Sequence, residues 1–118
     1  METKPKVIDL SFQFSLEIIA LYKELVKQNE YVLSKQLLRS ATSIGANIEE
    51  ANAGQTKKDF IMKMSIASKE ARETKYWLRL LDKSKLVDTD YSSCLSSIEH
   101  IINLLTKIVK TSQQSLSA

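Results

Sequence analysis

What the 118-residue chain lacks narrows the possibilities first. Two glycines and one proline leave almost no material for the tight turns of a β-sandwich or barrel, so an all-α fold is expected. A single cysteine, Cys94, excludes an intrachain disulfide and a cysteine-based zinc cluster, and it suits a reducing cytoplasm. The single histidine, His100, directly follows Glu99, whereas a carboxylate-bridged di-metal bundle requires Glu-x-x-His pairs on two helices. No Ser/His/Asp set, Walker loop or glycine-rich phosphate cradle is visible, so the sequence predicts no enzyme, no metal site and no cofactor. The opening METKPKVIDLSF has no apolar signal-peptide core, and no run approaches the roughly 18 apolar residues that span a bilayer. A cytoplasmic protein without a membrane partner is expected.

A strong charge of one sign is also missing, since the net charge is only +3. Its distribution is uneven: between Gln55 and Lys85 nine Lys/Arg stand against four Asp/Glu, while the remainder has eight against ten. One segment therefore carries the positive field.

What the chain has in quantity is helical periodicity. Leu10, Phe14, Ile18, Leu21 and Leu25 recur at spacings of three and four, which predicts a helix over about 9–28, with Phe12, Leu16, Ile19 and Val26 widening its face. Leu37, Ala41, Ile44, Ile48 and Ala51 predict a second helix over 34–53, ended by Gly54 as a left-handed cap. Thr56 with Asp59 forms a capping-box-like start for a third helix over 56–84. Its stripe is Phe60, Met64, Ala67, Ala71, Leu78 and Leu81, and its length is ~43 Å at 1.5 Å per residue. Asp88 or Asp90 can cap a fourth over 90–112, with the stripe Tyr91, Leu95, Ile98, Ile102, Leu105 and Val109. The closing TSQQSLSA is expected to fray. Short connections force neighbours antiparallel, giving an up-down-up-down four-helix bundle as a single domain over 1–118.

The second helix admits small and polar residues where a bundle would favour leucine. Folding it back through the turn near Gly54 sets Asn47 near Lys63, Ser43 near Ala67 and Ser40 near Ala71, small against small, with closely spaced axes. Gln36, Ser40, Ser43, Asn47 and Glu50 form a polar stripe that can satisfy itself, a neighbouring helix or a partner chain.

The third helix has two further faces. Met62, Ile66, Tyr76, Trp77 and Leu80 fall roughly opposite its core stripe at 100° per residue, and a helix apolar on two faces is buried on two. The second face is expected to be a subunit interface, with Glu70 and Glu73 beside it. Arg72, Lys75, Arg79 and Lys83 fall within an arc of ~80°, a basic stripe that is the candidate nucleic-acid contact. Tyr76 is its only aromatic companion, so base stacking should add little.

These residues resemble the 23S ribosomal RNA intervening-sequence protein family. Gln36, Arg39, Ser40, Ala41, Ser43, Ile44, Asn47, Ile48 and Glu50 follow the family's helix 2 pattern of a glutamine, a basic residue, small residues, Ser-Ile and Asn-Ile before a glutamate. IASKEARETKYWLRLL looks like helix 3 of one branch. The chain departs at Glu49 and Ala51, where the family often shows Asn-Ile-Ala-Glu-Gly, and in lacking a proline before helix 2. The resemblance implies an up-down bundle forming ring-like homo-oligomers, with a pentamer as the first expectation, from genes first noticed in insertions within ribosomal RNA genes. A similar bundle, the accessory protein of diversity-generating retroelements, is a basic pentamer that binds nucleic acid and reverse transcriptase. Two functions stay open: a self-assembling RNA-associated scaffold, or a protein-binding adaptor ring that docks a reverse transcriptase or another partner.

Overall fold

A computed structural model describes residues 6–117. Four helices follow in order: α1 (Val7–Lys27), α2 (Leu33–Ala53), α3 (Lys57–Ser84) and α4 (Ser92–Ser117). Each packs on two neighbours, α1 with α2 and α4, α3 with α2 and α4, and the diagonal pairs do not approach one another. This is the expected all-α, antiparallel four-helix bundle, and its most extensive contact is between α2 and α3.

The core is built from the expected stripes. Phe14, Ile18, Leu21 and Leu25 of α1, all five apolar positions of α2, Met64 to Leu81 of α3, and Tyr91, Ile98, Ile102 and Leu105 around α4 are buried. Phe12, Leu16 and Ile19 do not widen the core face of α1, because they are 58%, 48% and 37% exposed. A corner helix touching only two neighbours buries one arc of its surface, and no fifth element covers the outer arc of α1.

The corner between α1 and α2 is fixed by hydrogen bonds rather than by glycine. Asn29 takes the left-handed conformation at φ 67, its N–H donates to Val26 O at 2.9 Å, and Glu30 N–H donates to Leu25 O at 2.9 Å. That is the Schellman pattern, with asparagine at the position that usually selects glycine. The next residue starts α2: the Glu30 carboxylate accepts from the backbone N–H groups of Val32 (3.2 Å), Leu33 (2.8 Å) and Ser34 (2.7 Å). Partial burial pushes the Glu30 carboxyl up, and these hydrogen bonds outweigh it, so its pKa lies below the ordinary value. A lowered carboxylate pKa contributes stability above the ordinary glutamate range and loses it as pH falls through the folded-state value. Glu30→Gln should therefore cost about 1 kcal/mol near neutral pH. The difference from wild type should shrink in acid, and urea titrations at two pH values would measure both effects.

Three details differ from the sequence expectation. Gly54 is extended, at φ −65 and ψ 149, and two residues later the side chain of Thr56, also extended, accepts from Asp59 N–H at 3.1 Å to start α3. The left-handed caps belong instead to Asn29 after α1 and to Lys85, at φ 60, after α3. The last segment does not fray within the described residues: α4 stays helical to Ser117, and Lys57 Nζ donates to Ser115 Oγ at 2.6 Å. Ala118 lies outside the described residues.

The small residues of α2 serve two neighbours. Thr74 Oγ1 and Ser40 Oγ are 2.8 Å apart inside the core, so the hydroxyl of Ser40 finds its partner one turn beyond Ala71. On the α1 side, a Cβ added at Gly45 would lie 3.6 Å from Ser11 Oγ and 3.7 Å from Ser15 Oγ. Two helices thus meet α2 through hydroxyl groups and the bare Cα of Gly45.

Candidate functional site

The polar stripe of α2 is satisfied largely within the chain. Arg39 donates to Gln36 Oε1 at 3.2 Å and pairs with Glu70 (3.5 Å) and Glu73. Asn47 Nδ2 donates to Ser43 O at 2.9 Å and lies 3.1 Å from Ser43 Oγ, and Glu50 pairs with Lys63 at 3.2 Å. Gln36, Arg39, Ser43, Asn47 and Glu50 therefore tie α2 to itself and to α3. Glu70 and Glu73 are engaged in that seam rather than left for a partner chain.

The apolar outer face of α3 divides into two parts. Met62, Ile66 and Tyr76 are 56%, 36% and 54% exposed, and Leu80 is half-buried. Trp77 packs partly against the core. Its indole N–H donates to Glu73 Oε2 at 2.9 Å, and its ring meets Tyr76 edge-on with centroids 5.1 Å apart. Trp77 thus stiffens the α2–α3 corner, while the ridge beside it faces outward.

The basic stripe of α3 turns toward α4. Arg72, Lys75, Tyr76 and Arg79 line one wall of a groove of about 360 Å³ whose other wall is Glu99, Ile102, Asn103 and Thr106. Arg72 donates to Thr106 Oγ1 at 3.1 Å, and Lys75 pairs with Glu99 at 2.6 Å. Beyond Arg72 the groove continues for about 270 Å³ past Ser65, Ser68, Val109, Lys110 and Gln113. Lys83 is exposed and lies outside both stretches. The α4 residues were legible only as a polar i, i+4, i+7 set, Glu99, Asn103 and Thr106, and nothing in the sequence alone assigns that face to α3. Arg72, Arg79 and Lys110 have no acidic partner in the groove, and Glu99 is the single carboxylate lining it among the described residues.

On the other side of α4, His100 and Glu17 line a groove of about 460 Å³ with Leu10, Phe14, Leu16 and Ile101. Glu17 accepts from Ser93 Oγ at 2.7 Å. Burial, reinforced by the charge of Glu17, pushes the Cys94 thiol up to about 12, so it stays protonated and unreactive. Among the described residues no group of three or more His, Cys, Asp or Glu could hold a metal ion, and no described helix is long and apolar enough to cross a membrane.

The fold has a solved counterpart. A crystal structure of a protein of unknown function from the S23 ribosomal protein family of Bacteroides thetaiotaomicron is 48% identical, with a TM-score of 0.85 over 89% of this chain and 99% of that one. No curated protein matches the chain. The family model for the 23S rRNA-intervening sequence protein matches residues 3–107, nearly all of the bundle, and the chain belongs to that family.

Proposed function

We propose that the protein is a non-enzymatic, self-assembling bundle that acts as an RNA-associated scaffold, holding the nucleic-acid backbone along the α3–α4 groove. The observation that carries this reading is the run Arg79, Lys75, Arg72 and Lys110 against one carboxylate, Glu99. Ser65, Ser68, Asn103, Thr106 and Gln113 line the same channel, and such side chains donate to phosphate oxygens without reading sequence. The exposed ridge Met62, Ile66 and Tyr76 supports self-assembly, with a five-membered ring as the first expectation, and assembly repeats the groove and strengthens its field.

The Lys75–Glu99 pair sets the test. Exposed pairs are worth little to stability, but this one removes a cation from the groove. Three free cations, Arg72, Arg79 and Lys110, imply a single-strand salt slope of about −2 per protomer at ~0.7 per contact. Glu99→Gln should free Lys75, tighten binding a few-fold at low salt and steepen the slope by about 0.7. Fluorescence anisotropy with structured and single-stranded RNA over a salt series measures both. If wild type and variant alike fail to bind, the adaptor reading takes over, with a reverse transcriptase or another protein as partner.

A further inference from the structure

One aromatic side chain stands among the cations of the α3–α4 groove. Tyr76 lines it beside Arg72, Lys75 and Arg79, and about half of its surface is exposed. We infer that an unpaired nucleobase stacks on Tyr76, so that the groove selects single-stranded over duplex RNA. The inference rests on the nucleic-acid binding proposed above and names the form of RNA that this site takes.

Position is the first argument. At 100° per residue Tyr76 falls ~40° from Met62 and Leu80 on one side and ~40° from Arg72 on the other. It therefore stands where the apolar ridge of α3 gives way to the groove. Arg72 lies about one turn before it and Arg79 about one turn after, ~10.5 Å apart along the axis at 1.5 Å per residue, and neither has an acidic partner in the groove. A strand whose phosphates rest on both arginines passes across Tyr76 and brings a base over it.

Surroundings are the second. As the only aromatic of the basic stripe, Tyr76 counts for little in the sequence, but the fold supplies what a stacking platform needs. Trp77 meets its ring edge-on at 5.1 Å, and the Trp77 indole is itself held by Glu73 Oε2 at 2.9 Å, so the phenol is braced from the ridge side. Ile102, 5% exposed, gives the groove an apolar floor. The contacts of Lys75 with Glu99 and of Arg72 with Thr106 set the register of the two antiparallel helices, which puts Asn103 within about one turn of Tyr76 along the axis. Its amide carries both a donor and an acceptor for the edge of a base. Every base has a π-face, so such a platform distinguishes strandedness rather than sequence.

Size is the third. A volume of about 360 Å³ is at the small end for a ligand site, room for roughly one nucleotide. Packed helices stand 8–10 Å apart, and a cleft between them admits a single splayed base but not a duplex. In duplex RNA the bases stay stacked and paired inside, leaving only phosphates and sugars for the arginines. A groove acting through charge alone would hold duplex at least as well as single strand, because the duplex releases more counterions per contact, about 0.9 against about 0.7. Stacking reverses that order.

The test compares a labelled single strand, the same strand annealed to its complement, and an abasic strand of equal length, by fluorescence anisotropy at 50 mM salt. Wild type should bind the single strand about 5-fold or more tightly than either of the others, the effect of one stacked base. Tyr76→Leu, apolar but without a π-face, should lose about that factor for the single strand alone, with the salt slope unchanged because no phosphate contact is removed. Tyr76→Phe should bind as wild type does, and sedimentation and circular dichroism should show that both variants fold and assemble normally. Trp77 is the only tryptophan of the chain, so a base on Tyr76 should quench its emission when single strand is added, and duplex should not. Wild type that binds duplex or abasic strand as tightly as single strand overturns the inference, and so does a Tyr76→Phe variant that behaves like Tyr76→Leu; in both cases phosphate binding in the groove still stands. Wild type that binds none of the three strands removes the nucleic-acid reading together with it.

Discussion

Ala67→Leu should lower the thermal midpoint by several degrees and cost about 1–3 kcal/mol. Ala67 and Ala71 are fully buried on the core face of α3, as are Ile44 and Ile48 on that of α2. The two alanines' lack of bulk lets α3 close on α2, the most extensive helix pair in the bundle. Leucine adds three carbons at a place with no exposed direction, so it must push the helices apart or leave its rotamer well. Met64→Leu is the matched control: it is equally buried but nearly conserves volume and should cost less than about 1.5 kcal/mol. Melts that place both variants at the wild-type midpoint would show that the layer has room to spare.

The core was legible because burial repeats. Leu37, Ala41, Ile44, Ile48 and Ala51 all lie on the buried arc of α2, which Ser34 and Ser40 complete, since one inward direction selects every third or fourth position. Helix ends were less legible. Thr56 announces α3 by local chemistry and accepts from Asp59 N–H, and of the two candidates Asp88 and Asp90 at the start of α4 it is Asp90 that accepts from Ser92 N–H. The start of α2 has no such neighbour in the usual place; Glu30 reaches three N–H groups only because Asn29 turns the chain back through its left-handed conformation. Asparagine there carries the signal that glycine would, and a search for glycine overlooks it.

The outer faces were legible as patterns but not as addresses. The wheel places Trp77 with Met62, Ile66 and Leu80, yet a 60° difference from Met62 is enough to bring its indole within reach of Glu73 and behind Arg39. Phe12, Leu16 and Ile19 follow the same 4-3 spacing as a core stripe, and only the number of neighbours around α1 shows that they face outward. The basic stripe was visible on α3, but whether its cations were free depended on α4, and the carboxylate that holds Lys75 lies 24 positions along the chain at Glu99.

That dependence shapes the largest functional effect expected, which is charge reversal of Arg72 and Arg79 together. Both line the groove, and neither has an acidic partner there. Arg72→Glu/Arg79→Glu removes two of three free cations and adds two anions, leaving Lys110 and a weakened Lys75 to face a polyanion. RNA affinity at 50 mM salt should fall by more than ~10-fold, and the salt slope should flatten from about −2 toward about −0.7 per protomer. Wild type itself should weaken roughly 20-fold between 50 and 200 mM salt on the same arithmetic. Lys83→Glu is the discriminating control: it changes charge on the same helix outside the groove, so it should shift affinity only slightly through the general field. The loss should be similar for different sequences, because phosphate contacts position a strand without reading its bases. Sedimentation must first show that the variants assemble like wild type, since neither arginine lies on the apolar ridge of α3. If Lys83→Glu weakens binding as much as the double reversal, the groove is not the binding surface. If the double reversal binds like wild type, the nucleic-acid function itself fails, and the groove becomes a candidate seat for an acidic protein segment.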